Sequence, residues 1–253
     1  MSGNGQNRAP YIEFKDVSKA FGSHVVLDDV SFDVMPGETL AILGRSGVGK
    51  SVTLGHIMGF IRPDSGRVIV AHEDITDFPE SELRRIRRKV TMVFQSGALF
   101  DSLTIAENIL FSLELRQDYS PENKDEVVDG LLKMVDLAEY ANAYPADIST
   151  GYKRAVAIAR ALAAQPECIL YDEPTTMVDP IMSDHMANLM LRLKRQLNLT
   201  SIVVTHDLDL MYKVADQVVF LFEGNVIFFG PPADLAKSEH PHAQEFLEMD
   251  RVA

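Results

Sequence analysis

Gly44-Arg45-Ser46-Gly47-Val48-Gly49-Lys50-Ser51-Val52 carries the spacing G-x-x-x-x-G-K-[ST], placed between a short apolar run at 39–43 and a helical pattern that starts at Lys50. Small residues let such a loop curl around an anion with successive N–H groups pointing inward, and a helix that begins there adds its positive end. Lys50 is expected to reach the β- and γ-phosphates of a bound polyphosphate, and Ser51 to offer an oxygen to Mg²⁺. An ordinary glycine turn before a helix has no need of Lys-Ser at this position.

A second chemical signal lies far along the chain. Cys168-Ile169-Leu170-Tyr171-Asp172-Glu173 reads as an apolar strand ending in two acids. Asp172 suits a water on Mg²⁺, and Glu173 suits a general base that polarises an attacking water. Gln95 ends the strand pattern at 91–94, and His206 follows the one at 201–204. A lone polar residue at a strand end is usually a satisfied turn residue. In a parallel α/β sheet, however, the ligand crevice lies at the carboxyl ends of the strands, which is where all four signals fall. His206 is then placed to hold the γ-phosphate and the water, and Gln95 to touch Mg²⁺ or the water, since positioning and charge stabilisation carry phosphoryl transfer.

These residues need a scaffold. Two β-rich stretches at 11–17 and 25–34 flank a turn at Gly22-Ser23, and further strands are expected at 39–43, 67–71 and 90–94. Helices are expected at 50–59 and from Ser81. The segment 104–164 is mostly helical, divided by Pro121 and Pro145, with Ser149 as the N-cap of its last helix. Strands return at 168–171, 201–204, 217–222 and 226–229, alternating with helices at 180–196 and 208–214. The pattern predicts an α/β fold with a mostly parallel sheet buried on both faces, an N-terminal antiparallel β subdomain and an inserted α-helical subdomain. Residues 1–10 read as a disordered leader and 11–232 as one domain, with a core at 11–95 and 166–232 and the helical subdomain at 96–165.

The totals narrow the partners. With 253 residues, 46% of them hydrophobic, the chain can bury a large core, and a net charge of −13 disfavours nucleic acid. Arg84-Arg85-Ile86-Arg87-Arg88-Lys89 reads first as a solvated helix face and second as a contact for anionic partners, lipid headgroups included. The single cysteine, Cys168, has no partner for a disulfide and sits in an apolar run, as expected of a buried thiol in a reducing compartment. The polar start lacks a secretory signal, and no run approaches the roughly 18 apolar residues of a membrane span. A membrane role would have to come through a partner.

The glycine loop, Gln95, a Ser-x-Gly helix start at Ser149, Asp172-Glu173 and His206 occur in that order, and in this the chain resembles the nucleotide-binding subunits of ABC transporters from about Tyr11 to Pro232. The resemblance implies a P-loop NTPase with a RecA-like core that binds ATP and Mg²⁺ and hydrolyses ATP. It also implies a head-to-tail homodimer in which Ser149 and Gly151 of one copy close over the ATP on the glycine loop of the other. Asp179 would communicate across that dimer, and the tail at 233–253 would add to the contact. Phe21 would stack on adenine, the alternative being a core aromatic. A transmembrane permease would dock near 95–103, placing the chain peripherally on the cytoplasmic face of the inner membrane. Ala98-Leu99-Phe100 is read as part of that contact, or otherwise as core. The stretch 94–104, with Gly97-Ala98-Leu99-Phe100, resembles the ATPases of the MCE/Mla branch, which implies phospholipid transport and an MCE-domain substrate-binding partner. Another importer or exporter, or a soluble ATPase of iron–sulfur cluster assembly, is the alternative. DNA-repair and translation relatives are disfavoured, because there is no long heptad insertion and no second cassette.

One departure stands out. The family signature reads Leu-Ser-Gly-Gly, whereas this chain reads Ile148-Ser149-Thr150-Gly151-Tyr152. A left-handed backbone at Thr150 would cost roughly 1–2 kcal/mol, while a helical one would be nearly neutral. With Ser149 as N-cap, the helical reading is expected. A degenerate site that depends on a different, intact partner ATPase is the competing expectation.

Overall fold

The computed structural model describes residues 9–116 and 120–250. Residues 1–8 of the expected leader and 251–253 of the expected tail lie outside the described residues. The chain opens with β1 (Ile12–Phe21) and β2 (His24–Val34), an antiparallel hairpin turning at Gly22-Ser23 with Ile12 opposite Val34 and Phe21 opposite His24. β1 was expected to stop near Val17. It continues to Phe21 because register shifts after Phe14 and Lys15, around Asp16 with φ 52°, bend the strand and let it keep pairing.

β3 (Thr39–Leu43) leads through the glycine loop into α1 (Lys50–Ile57). The helix was expected to reach Gly59. It ends earlier, and Gly59 turns the chain at φ 66°, where a Cβ would meet Leu83 at 2.4 Å. β4 (Ser65–Val70) and the short β5 (Glu73–Asp74) complete a four-stranded antiparallel sheet of order β2-β1-β4-β5. α2 (Glu80–Lys89) then leads into β6 (Val90–Val93). In α2, Leu83 and Ile86 are buried while Arg84, Arg85 and Arg88 are exposed, so the basic run is a helix face; Arg85 pairs with Glu73 and Arg87 with Glu80.

The helical part comprises α3 (Ile105–Glu114), α4 (Lys124–Met134) and α5 (Thr150–Leu162). Thr104 and Glu107 close the start of α3 as a capping box. Pro121 and Pro145 each open a short 3₁₀ turn. The fully buried Asn108 accepts from Phe100 N at 2.8 Å and donates to the carbonyls of Phe100, Leu103 and Thr104, which fixes the loop after β6. β7 (Cys168–Asp172), α6 (Pro180–Leu197), β8 (Thr200–Val204), α7 (Leu208–Val214), β9 (Gln217–Phe222), β10 (Asn225–Gly230), α8 (Pro232–Leu235) and α9 (Pro241–Asp250) follow.

The second sheet has the order β10-β9-β3-β8-β7-β6, parallel except for β10. Because strand side chains alternate, its strands feed different cores. Ile42, Leu170 and Ile202 join Phe14, Leu27 and Leu54 between the sheets, whereas Ile169, Tyr171 and Val203 join Ile109, Val156 and Met190 on the helical face. Leu43 and Phe220 pack with Met211, Leu235 and Leu247, so the tail helix α9 folds onto its own chain. No helix among the described residues is long and apolar enough to cross a membrane.

Cys168 is fully buried and desolvation pushes its thiol pKa up. Iodoacetamide should therefore leave the native protein unmodified over hours at neutral pH and alkylate it once denaturant unfolds the chain, as read by intact-mass spectrometry.

Candidate active site

Register brings the chemistry together. Asp172 pairs with Val204, Ile42 with Val204, and Val93 with Tyr171, so the loops leaving β3, β6, β7 and β8 emerge side by side. They surround a cavity of about 880 Å³ lined by Arg45, Ser46, Gly47, Gly49, Lys50, Ser51, Val52, Gln95, Asp172, Glu173 and His206, with Phe21 at its rim.

The glycine loop has the shape its sequence implies. Gly49, with φ 105°, caps α1, and a Cβ there would lie 2.9 Å from Val26 O. Gly44, with φ 150°, would put a Cβ 2.5 Å from Leu221 O. Lys50 is only 8% exposed. Its Nζ donates to Gly44 O at 2.6 Å and Arg45 O at 3.3 Å, and lies 3.4 Å from Glu173 Oε1. Gly44 and Val48 do not line the cavity: Gly44 contributes its carbonyl to Lys50, and Val48 packs on the core between the sheets.

Glu173 is held from several sides. Its Oε2 lies 2.8 Å from His206 Nδ1 and accepts from Thr176 Oγ1 at 3.1 Å, while its N–H donates to Val204 O at 2.9 Å. Its φ of 49° is unusual for a residue with a Cβ and belongs to the strained backbone that functional sites retain. Ser51 Oγ donates to Asp172 Oδ1 at 3.5 Å. Burial, and next the charge of Glu173, raise the Asp172 carboxyl above its ordinary range, against the opposing Ser51 bond and Lys50 charge. A carboxylate in that position gains from a nearby cation. With a hydroxyl, a carboxylate and the Gln95 amide at one cavity, the donors are hard oxygens, which fit Mg²⁺.

Phe21 is 50% exposed, which removes the core reading, and it lines the cavity with Lys19 Nζ 5.5 Å from its ring centroid. Ser149, Gly151 and Asp179 are not among the cavity's lining residues. Ser149 caps α5 by accepting from Tyr152 N at 3.3 Å, and Asp179 caps α6 by accepting from Met182 N at 3.0 Å. Gly151 sits against α6, where a Cβ would meet Met182 Cγ at 2.1 Å. Thr150 is the first residue of α5 and has no positive φ, so the altered signature carries no left-handed strain. After β6, Ala98 and Phe100 are exposed while Leu99 packs on the helical core.

Sequence reasoning missed His24, Val26, Thr176 and Phe246 in the cavity wall, and the Arg45–Glu245 ion pair at 2.8 Å that ties α9 to the glycine loop. Thr176, three residues from Glu173, and His24, three residues from Phe21, lay close enough in sequence to have been found.

The model of the ABC transporter family matches residues 27–176. The chain belongs to the ABC transporter family. It is 37% identical over 243 residues to the methionine import ATP-binding protein MetN 2 of Rhodococcus jostii, covering 94% of this chain and 71% of that one. It is 33% identical over 251 residues to the probable ribonucleotide transport ATP-binding protein mkl of Mycobacterium leprae, covering 98% and 72%. Among solved structures, the dimeric ATP-binding cassette MJ0796 in a post-hydrolysis state with ADP and Pi superposes with a TM-score of 0.79 at 32% identity, covering 87% of this chain and 98% of that one. The ABC cassette fold, with its P-loop, parallel sheet and antiparallel subdomain, is thus the one read from the sequence, and this cassette is an ATPase.

Replacing Lys50 with alanine removes the ammonium that faces the loop. A fluorescent ATP analogue should bind on the order of tenfold or more weakly to Lys50→Ala by titration, while the circular dichroism spectrum stays unchanged.

Proposed function

We propose that this cassette is the motor subunit of a membrane transporter, working as a head-to-tail homodimer that closes over two ATP molecules. The observation that carries this reading is the split of the phosphate-binding groups. The loop, Lys50 and Glu173 share one cavity, whereas Ser149 and the start of α5 are not part of it. A second copy turned head to tail would bring its Ser149 and Gly151 to the γ-phosphate, and Asp179 to the seam. The exposed Met177 and Ile181 beside Asp179 suit burial in such a seam.

In this reading the triphosphate lies along the glycine loop and the start of α1, with Phe21 on the adenine. Lys50 turns from the Gly44 and Arg45 carbonyls to the β- and γ-phosphate oxygens. Ser51, Asp172 and Gln95 would hold Mg²⁺, which supplies charge neutralisation at the phosphates when bound. Glu173 takes the proton of a water as its oxygen attacks the γ-phosphorus and the bond to ADP breaks. His206 holds the Glu173 carboxylate and the transferred phosphoryl group. The permease would sit against the apolar surface of Phe94, Phe100 and Phe111, where the Phe100 and Phe111 rings meet at 4.9 Å, and would keep the cassette at the cytoplasmic face of the membrane.

For the cargo we favour phospholipid, moved together with an MCE-domain partner, supported by the resemblance of Gly97-Ala98-Leu99-Phe100 to that branch. A second reading, import of a small solute such as methionine, is favoured by the name of the Rhodococcus relative. Either cargo leaves the ATPase chemistry unchanged.

Glu173→Gln should retain ATP binding and lower phosphate release by about 10²–10⁴-fold. The same variant should elute as a dimer on size exclusion with ATP and as a monomer without it; a monomer in both would end the head-to-tail reading. The cargo is tested with the transporter purified through this subunit and reconstituted in proteoliposomes. ATP-dependent transfer of fluorescent phospholipid is the expected outcome, and methionine uptake without lipid transfer would favour the second reading.

A further inference from the structure

Arg154 is 2% exposed and is the one buried arginine among the described residues. Its guanidinium reaches out of α5 to the turn that follows β7. Nη1 donates to Pro174 O at 2.5 Å and lies 3.4 Å from Glu173 O, and Nη2 donates to Thr176 O. Three carbonyls thus converge on one cation, away from water.

The turn needs such an anchor. Glu173 and Met177 both take a positive φ, of 49° and 60°, an unfavourable conformation for side chains with a Cβ. Within the turn the backbone bonds are Thr176 N to Glu173 O at 3.4 Å and Val178 N to Thr175 O at 3.1 Å, supported by the Thr176 hydroxyl on Glu173 and the Thr175 hydroxyl on Asp207, and none of these reaches the Pro174 carbonyl. Without the guanidinium, the Pro174 and Thr176 carbonyls would lose the donor they now share, and leaving such a group unsatisfied costs more than the hydrogen bond itself contributes. A planar fork can serve several carbonyls at once, whereas the single ammonium of lysine cannot match that geometry.

Arg154 also shares a helix with Ser149, the N-cap five residues earlier and about 7.5 Å away along the axis. One rigid element therefore joins the residue that would meet the partner copy's nucleotide to the turn that carries Glu173. We infer that Arg154 is a positioning residue that sets Glu173 in its own chain and passes to it the docking of Ser149 on the mate's ATP. The second half of this inference rests on the head-to-tail reading above.

The test compares Arg154→Lys with Arg154→Met in the full chain. Both should keep the KM for ATP within about twofold, and kcat should fall on the order of ten- to hundredfold, more in Met than in Lys, as expected when a reacting group is displaced by about 1 Å. The dependence of rate on ATP concentration should lose cooperativity, and amides 174–178 should exchange faster while those of β3 and β8 do not. Each of these is a change that general loosening of the core would not give in isolation. Adding Arg154→Lys to Glu173→Gln should leave ATP-driven dimerisation intact, which separates this inference from the dimer reading. Turnover and cooperativity in Arg154→Lys close to the unsubstituted protein would overturn the proposal. So would insoluble Arg154→Met accompanied by a fully active Arg154→Lys, which would assign the guanidinium to packing alone.

Discussion

A buried ammonium has to be surrounded by oxygen, and in this cassette the requirement falls on Lys50. Its Nζ lies among the Gly44 and Arg45 carbonyls and the Glu173 carboxylate, in a pocket that solvent barely reaches. That single charge explains much of the surrounding design. The loop must wrap tightly enough to turn carbonyls toward it, so glycines are needed where a Cβ would strike Leu221 or Val26. Glu173 must lie close enough to answer it, so the turn after β7 accepts a strained backbone. In the proposed reading, a phosphate brings more negative charge than the present partners and draws Lys50 toward itself, freeing Glu173 for water.

The sheet makes this arrangement possible. Parallel strands with matched register end together, so residues as distant in sequence as Gly44, Gln95, Glu173 and His206 arrive at one edge without any of them needing a long loop. That is also why so much of the site was legible in the sequence. Each of these residues follows a short apolar strand directly, and its chemistry is carried by its immediate neighbours. The Ser149 cap could be read for the same reason, since capping is local. What escaped came from contacts that no local pattern encodes. Phe246 reaches the cavity and Glu245 reaches Arg45 only because α9 packs on β9, and Arg154 looks in sequence like any basic residue on a helix. The bend that carries β1 on to Phe21 was equally hidden, because a bulge at Asp16 leaves no periodic trace.

The two ends of the functional unit are thus held by different kinds of force. On one side, α5 is locked to the Glu173 turn by a buried guanidinium. On the other, the tail helix α9 lies over β9 through Leu247 and the tilted Phe220–Phe246 ring pair, and reaches Arg45 through an exposed ion pair. The first contact is desolvated and directional. The second is mostly apolar, with an ionic latch that salt would screen.

The seclusion of Cys168 has a practical corollary. Because the chain has a single cysteine and it is sealed inside β7, a thiol introduced at Ile181 or Met177 would be the sole reactive handle on the surface, with no native residue to remove first. A spin label or fluorophore attached there would sit beside Asp179. It could report, by distance between labels, how two copies approach and separate through a catalytic cycle.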